Sequence, residues 1–334
     1  MSLDFHQLRV LPLAERRSLT RVEDILIDPA APPPPASAVV SECAERIIAA
    51  SEKGAAVILM YGAHLIRNGA ALLLTEMLER GWITHVATNG AGSIHDWEYA
   101  WLGRSTESVE ENVATGTFGA WNETGRNLHL ALLAGGLRGE GYGQSVGRMI
   151  HEDGVTLPSP EELKRALTTP DDERAPAQAD LLAAMRRHGL AAGHHEIRHE
   201  WKHASLLAQA WRLGVPATIH PGIGYDIISC HPMFNGAAIG RAAEVDFKSF
   251  ASAVERLDGG VVLSVGSAIM APQVFEKSLS CVHNLRFQEG REPVRDHSFY
   301  VVDLQDGGGW DWTQGEPPKT NAAYYLRFCK SFSR

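Results

Sequence analysis

The sequence is poor in cysteine, in positive charge and in long apolar runs, and each shortage excludes a class of protein. Its four cysteines lie far apart with no C-x-x-C spacing, so we expect reduced thiols in a cytoplasmic protein. A formal net charge of −9 without a lysine or arginine run argues against nucleic-acid binding. No apolar segment approaches the roughly 20 residues needed to cross a bilayer, and the N-terminus lacks the apolar core of a secretory signal. We therefore expect neither nucleic acid nor a membrane as a partner.

What the chain does have is the length and apolar content of a large folded domain. Its 334 residues are 44% hydrophobic and 21% charged, which is ordinary for a soluble protein with a sizeable core. Residues 1–36 contain a run of four prolines that cannot continue a helix, and we predict that they form an N-terminal arm. Residues 37–334 are predicted to form a single α/β, dinucleotide-binding-like domain with a helical insertion at about 103–193.

Residues 81–96 organise the rest of the chain. Residues 84–87 alternate polar and apolar side chains with a β-branched bias, which predicts a buried strand. The turn Thr88-Asn89-Gly90-Ala91-Gly92 follows, where glycine permits backbone angles that a Cβ forbids, and Ser93 can cap a helix over residues 94–102. A strand, a glycine turn and a helix N-terminus together can hold an anion. The alternative is a tight turn that binds nothing.

Four further strands are predicted, and glycine or aspartate follows each of them. They are residues 55–60, 215–219, 260–265 and 299–304. Strands that alternate with helices predict a doubly wound, mostly parallel sheet with helices on both faces. In such a sheet the loops share the carboxyl edge, where ligands bind. Several glycine loops at one edge are stronger evidence for a binding site than any single loop.

The motif His195-Glu196-Ile197-Arg198-His199 matches the H-E-x-x-H pattern of zinc proteases. On a helix the two histidines would share a face, and the glutamate between them could activate a zinc-bound water. Arg198 would place a cation beside that metal, and the flanking residues are polar. We therefore predict an exposed polar helix start with no metal, and a zinc hydrolase using His195 and His199 is kept as an alternative.

Histidines and aspartates lie near the predicted strand ends, where acid–base groups are useful. His95 and Asp96 follow the central turn, Asp226 lies in the loop after residues 215–219, and His231 comes shortly afterwards. Because such groups can exchange protons near neutral pH, these four are the candidate catalytic residues. Each also has an ordinary explanation, as a structural histidine or as an aspartate that closes a turn.

Five segments in chain order resemble the deoxyhypusine synthase family. They are residues 62–69 (GAHLIRNG), 84–96, 215–231, 261–267 and 299–311. The likeness extends over roughly residues 55–330. The resemblance implies an NAD-binding, doubly wound sheet in a homodimer or homotetramer, with ligands near a subunit interface.

The same resemblance implies that loops at the strand ends hold NAD and that hydride transfer is the chemical step shared with the family. The implied cofactor residues, with Gly222 added from the loop after residues 215–219, are Ala63, His64, Thr88, Asn89, Gly90, Ala91, Gly92, Gly222, Gly266, Ser267, Asp306 and Gly307. An acidic pair follows the second of these loops in the family. Only Asp96 carries over from that pair, because His95 occupies the other position.

The lysine that forms an imine in that family has no counterpart here. The similar stretch, residues 318–327, places Leu326 or Arg327 at its position, and arginine stays protonated and cannot act as the imine nucleophile. The sequence therefore predicts an NAD-dependent enzyme acting on a small polar substrate, such as an amine, by chemistry other than deoxyhypusine synthesis. The second hypothesis is a non-catalytic nucleotide-binding or regulatory protein.

Overall fold

The computed structural model describes residues 3–169, 172–267, 269–304, 308–311 and 314–326. The strands within these residues are β1 Thr20–Arg21, β2 Val57–Tyr61, β3 His85–Asn89, β4 Arg104–Ser105, β5 Gly154–Leu157, β6 Gly193–Glu196, β7 Ala217–His220, β8 Val261–Val265 and β9 Ser298–Val302. The α-helices in the same residues are α1 Val22–Ile25, α2 Ala38–Glu52, α3 Ala63–Arg67, α4 Ala71–Glu79, α5 Gly90–Leu102, α6 Val109–Thr115, α7 Asn122–Gly136, α8 Tyr142–His151, α9 Pro160–Ala166, α10 Ala175–His188, α11 Leu206–Leu213, α12 Gly236–Val254 and α13 Met270–Gln288.

In the described part of the chain, five parallel strands form a sheet in the order β7-β3-β2-β8-β9. The central strand β2 is buried along its whole length, as expected when helices cover both faces. Its Leu59 pairs with Val86 of β3 on one side and with Leu263 of β8 on the other. The chain adds β3 and β7 outward from β2 and then returns to place β8 and β9 on the opposite side. This is the doubly wound order, so the predicted α/β fold class is confirmed.

Successive residues of β2 contribute to two different cores. Ile58 packs with Phe250 of α12 and Phe275 of α13 on one face of the sheet. Leu59 packs on the other face in a core that includes Leu74 of α4 and residues of α11. This follows from strand geometry, because neighbouring side chains point to opposite faces. The continuous apolar run of β2 is therefore what holds both helical layers to the sheet.

The stretch predicted as a helical insertion contains α6 to α10 and the short strands β4 and β5. Residues of α5, α7, α8 and α10 share a further hydrophobic core beside the sheet. In α7, Leu128 and Leu130 are completely buried, as is Tyr142 of α8. None of the helices in the described residues is both long and apolar enough to span a membrane.

The segment predicted as an arm is attached to the rest of the chain by buried side chains. Leu13 and Val22 are at most 1% exposed, and β1 pairs with β4. The guanidinium of Arg16 donates from both Nη atoms to the two carboxylate oxygens of Glu98 in α5, at 2.8 and 2.7 Å. Such bidentate pairs fix geometry as well as charge. The boundary at residue 36 stays a prediction, but residues on its N-terminal side belong to the buried core.

Replacing Arg16 tests how strongly this ion pair stabilises the fold. In Arg16→Met, the Glu98 carboxylate stays buried without its cation, so we expect the free energy of unfolding to fall by about 3–5 kcal/mol. Arg17 is the matched control, because it and its partner Glu111 are both exposed, with their charged atoms 3.8 Å apart. Arg17→Met should change the free energy by less than about 1 kcal/mol. Urea denaturation followed by tryptophan fluorescence measures both, and equal effects would contradict the assignment.

Candidate functional site

The turn between β3 and α5 is shorter than the sequence predicts. Helix α5 begins at Gly90, and Asn89 caps it by accepting a hydrogen bond from the backbone N–H of Gly92 at 2.9 Å. The predicted cap at Ser93 is wrong, since its hydroxyl lies inside the helix and donates to the Gly90 carbonyl at 2.8 Å. Asn89 has extended backbone angles at the end of β3 and a side-chain acceptor, so the helix begins four residues earlier than predicted.

Both glycines of this turn are needed for packing against the protein's own side chains. A Cβ on Gly90 would overlap the carboxylate of Asp226, and a Cβ on Gly92 would overlap the hydroxyl of Thr88. Thr88 is 1% exposed and donates to the Tyr61 carbonyl at 2.9 Å. The N-terminus of α5 therefore faces an internal carboxylate, in the place where an anionic ligand was expected.

A cavity of about 240 Å³ lies beside this turn, between the loops that follow β3 and β7. Its charged and polar lining includes Arg16, Arg67, His95, Glu98, Glu107 and Asp226. Apolar side chains from α5, α6 and the loops complete the wall, among them Ile94, Val109, Phe118 and Ile227. The carboxyl edge of a doubly wound sheet is the expected place for a ligand, and an apolar wall with a few polar groups is typical of small-molecule sites. Of the predicted site residues, Ala91, His95 and Asp226 meet here.

His95 is oriented by a chain of hydrogen bonds that ends in the buried ion pair. Its Nδ1 lies 2.7 Å from the hydroxyl of Ser105, and that hydroxyl donates to Glu98 at 2.5 Å. Because the single hydroxyl hydrogen of Ser105 goes to the carboxylate, Nδ1 of His95 must be the donor. The neutral ring then has its lone pair on Nε2. Burial lowers the pKa of His95, which favours this neutral form.

Asp226 is another titratable group on the cavity, and it is 4% exposed. One carboxylate oxygen accepts a hydrogen bond from the backbone N–H of Gly222 at 2.7 Å. Burial raises the pKa of Asp226 to about 6, while the bond from Gly222 opposes that rise. A carboxyl group with a pKa near neutrality in a cavity can exchange a proton with a bound molecule.

Two other predicted catalytic residues lie away from the cavity. Asp96 is completely buried and accepts hydrogen bonds from the Ser205 hydroxyl and, at 2.7 Å, from the backbone N–H of Leu206. It therefore fixes the start of α11, and burial raises its pKa to about 7. His231 is 3% exposed, accepts from the backbone N–H of Met233 at 3.0 Å and stacks on His129 with ring centres 6.4 Å apart. Asp96 and His231 are therefore both held by hydrogen bonds within the protein, away from the cavity.

The remaining cofactor residues lie along the same sheet edge. Gly62, Ala63 and His64 follow β2, and Gly266 and Ser267 follow β8. A Cβ on Gly62 would overlap the Gly266 carbonyl, so these two loops meet at the point where the strand order reverses. The hydroxyl of Ser267 accepts from the backbone N–H of Ala271 at 3.2 Å, in the first turn of α13. Asp306 and Gly307 lie outside the described residues.

The zinc-protease motif is not on a helix. His195 lies in β6, which pairs antiparallel with β5, and its Nε2 lies 2.8 Å from the Ala191 carbonyl. His199 is buried, and its Nε2 accepts from the indole N–H of Trp97 at 3.1 Å. The predicted helix start is therefore wrong, because His195 and Glu196 end strand β6 and residues 197–199 continue outside any helix. In the described part of the chain, no group of three metal-ligating side chains could hold a metal ion.

Several residues that build the site were missed from the sequence, and they include Arg16, Arg67, Glu98, Ser105 and Glu107. Glu98 had a usable signal, because it follows His95 by three positions and helix neighbours at that spacing share a face. Arg67 lies within the GAHLIRNG segment at the end of α3. Ser105 and Glu107 carry no local pattern. The pairing of β4 places Ser105 behind the cavity, where its hydroxyl contacts His95, and Glu107 lines the cavity through the packing of the loop after β4.

No family model and no curated protein matches the chain. The solved structures that resemble it include AgrE in a ternary complex with ornithine and NAD⁺, with 13% identity over 88% of this chain and 32% of that chain and a TM-score of 0.36. A protein of Methanococcus maripaludis S2 assigned to the LOR/SDH group has 14% identity over 96% and 75%, with a TM-score of 0.36. An Entamoeba histolytica protein assigned as a deoxyhypusine synthase has 11% identity over 70% and 73%, with a TM-score of 0.30.

This chain spans about a third of the length of AgrE. At TM-scores between 0.30 and 0.36, the ligands and activities of these proteins do not transfer to this one. The resemblance to deoxyhypusine synthases and the assignment of NAD therefore stay predictions.

Replacing His231 tests its structural role. The ring is buried against His129, and its pKa falls from 6.5 to about 3, first because of burial. Between these values the unfolded chain binds a proton that the folded chain does not, so His231 destabilises the fold as the pH falls below 6.5. In His231→Asn, the slope of unfolding free energy against pH near pH 5 should decrease by up to about 1.4 kcal/mol per unit.

Urea denaturation over a pH series measures this slope. At pH 8 the ring is neutral in both states, so the parent and His231→Asn should then have equal slopes. An unchanged slope near pH 5 would mean that the folded protein protonates His231 as readily as the unfolded chain does.

Proposed function

We propose that the chain is an enzyme that exchanges a proton with a small polar substrate in the cavity beside β3 and β7, with His95 as the general base. The hydrogen-bond chain from His95 through Ser105 to Glu98 carries this proposal. It assigns the hydrogen to Nδ1 and so gives Nε2 the lone pair that a base needs. Ser105 and Glu98 act as positioning residues, since they contact the histidine and orient it.

The electrostatics of the cavity support the same role. Burial lowers the pKa of His95, so its ring is neutral at pH 7 and can accept a proton. Asp226 on the same cavity has a pKa of about 6, so it can hold or release a proton close to neutral pH. A positioned general base typically contributes about 10²–10⁴-fold to a rate.

NAD is proposed as the cofactor, at the point where the strand order reverses between β2 and β8. Doubly wound sheets bind dinucleotides in that crevice, and Gly266 there is exposed, with open space where a Cβ would lie. When bound, NAD would supply a hydride acceptor. Gly62 and Ala63 on one loop and Gly266 on the other are the residues that would contact it.

Two observations limit where NAD can lie. Residues 62–69 contain glycine only at their two ends and so lack the G-x-G-x-x-G phosphate motif. The N-terminus of α5 is faced by the Asp226 carboxylate, which would repel a pyrophosphate. We therefore propose the crevice between β2 and β8, in preference to the Thr88–Gly92 turn, as the place of the dinucleotide. A homodimer or homotetramer also stays a prediction.

Substitution of His95 tests the proposed base. With NAD present, a panel of small amines, amino acids and hydroxy acids is followed by absorbance at 340 nm. We expect the turnover of any substrate found to fall by about 10²–10⁴-fold in His95→Gln, with a smaller fall in Ser105→Ala because only the orientation of the ring is lost. Activity that survives His95→Gln would refute this role, and NAD binding without turnover of any compound would favour the non-catalytic alternative.

A carboxylate placed in the β2–β8 crevice tests the NAD site. In Ala63→Asp, repulsion of the pyrophosphate should weaken NAD binding by about tenfold or more, as measured by isothermal titration calorimetry. Ala191→Asp is the control, because Ala191 is exposed and lies next to β6, away from this edge. Failure of the parent protein to bind millimolar NAD would contradict the cofactor assignment, as would equal affinities of the two variants.

A further inference from the structure

The charged side chains of the cavity divide into those that are paired and those that are not. Arg16 and Glu98 neutralise each other. Glu107 accepts three hydrogen bonds, from the side chains of Asn112 and Trp121 at 2.5 and 2.9 Å and from the backbone N–H of Gly119 at 3.3 Å. Its acceptor capacity is therefore largely used within the protein.

Arg67 and Asp226 are the other two charged side chains that line the cavity. Within the described residues, Arg67 forms no ion pair and no side-chain hydrogen bond, although it is half-buried on the cavity wall. Asp226 has a backbone N–H on one oxygen and no cation partner among the same residues. The two do not pair with each other either, so their charged atoms are more than 4 Å apart. A cation and an anion thus line one small cavity with a space between them.

Asp226 is 4% exposed and Arg67 is half-buried, so both charges lose hydration without gaining an oppositely charged partner within the described residues. A ligand that carries both signs would satisfy the two together, and each contact would be a charge-assisted hydrogen bond. The cavity of about 240 Å³ has room for several groups the size of a water molecule. The remaining wall is apolar, with Val109, Phe118 and Ile227.

We infer that the cavity binds a small zwitterion of the amino-acid class, with its carboxylate on Arg67, its ammonium group on Asp226 and an apolar side chain against α6. This inference rests on the proposed function, because it names the substrate class of the same site. It narrows the predicted substrate from an amine to an amine that also carries a carboxylate.

The inference is tested with leucine and two analogues that each lack one charge. These are 4-methylpentanoate, without the amine, and 3-methylbutylamine, without the carboxylate. By isothermal titration calorimetry, the parent protein should bind leucine at least about tenfold more tightly than either analogue. Equal affinities for the three, or no binding of leucine, would overturn the inference.

Two substitutions assign each charge to its partner. Arg67→Met should weaken leucine and 4-methylpentanoate by about tenfold or more and leave 3-methylbutylamine within about twofold. Asp226→Asn should weaken leucine and 3-methylbutylamine and spare 4-methylpentanoate. Arg67→Lys keeps a cation and should recover part of the leucine affinity, which separates a lost charge from a damaged fold. A uniform loss of all three ligands in either variant would contradict the assignment.

The outcome is separable from that of the proposed function. If leucine does not bind but turnover of another compound still depends on His95, the substrate class is wrong and the general base stands. If leucine binds as expected and no compound is turned over, the binding site stands and the enzyme assignment fails.

Discussion

The buried ion pair between Arg16 and Glu98 is the constraint on which the site depends. Both side chains are almost completely buried, and a carboxylate in such a place needs a cation and further hydrogen bonds. Glu98 obtains them from Arg16, Ser105 and Thr124. Since Ser105 also holds His95, one arrangement both attaches the N-terminal segment to α5 and sets the tautomer of the proposed base.

At the carboxyl edge of the sheet, glycines serve close packing within the protein. Gly90 admits the Asp226 carboxylate, Gly92 admits the Thr88 hydroxyl, and Gly62 admits the carbonyl of Gly266. In each case the space that a Cβ would fill is occupied by the protein itself. The cavity therefore lies to the side of the glycine turns, bounded by α5, α6 and the loop after β7.

Environment separates two aspartates that look alike in the sequence. Burial raises the pKa of both Asp96 and Asp226. The carboxylate of Asp96 is enclosed by donors at the start of α11, whereas Asp226 lines a cavity that also contains Arg67. A raised pKa alone thus marks burial, and it indicates a function only where a ligand can reach the group.

The sequence by itself determined the α/β class, the strands of the sheet and the presence of polar residues at their carboxyl ends. These features follow from apolar runs and turn residues. Both are local sequence patterns, and local patterns largely determine where strands and helices form. Only the tertiary structure decided which polar residues share a site. His95 and Asp96 are adjacent in the chain, but neighbours on a helix do not face each other, so one lies on the cavity and the other in the core. Arg67, Ser105 and Asp226 come from separate parts of the chain, and no local pattern records that folding brings them together.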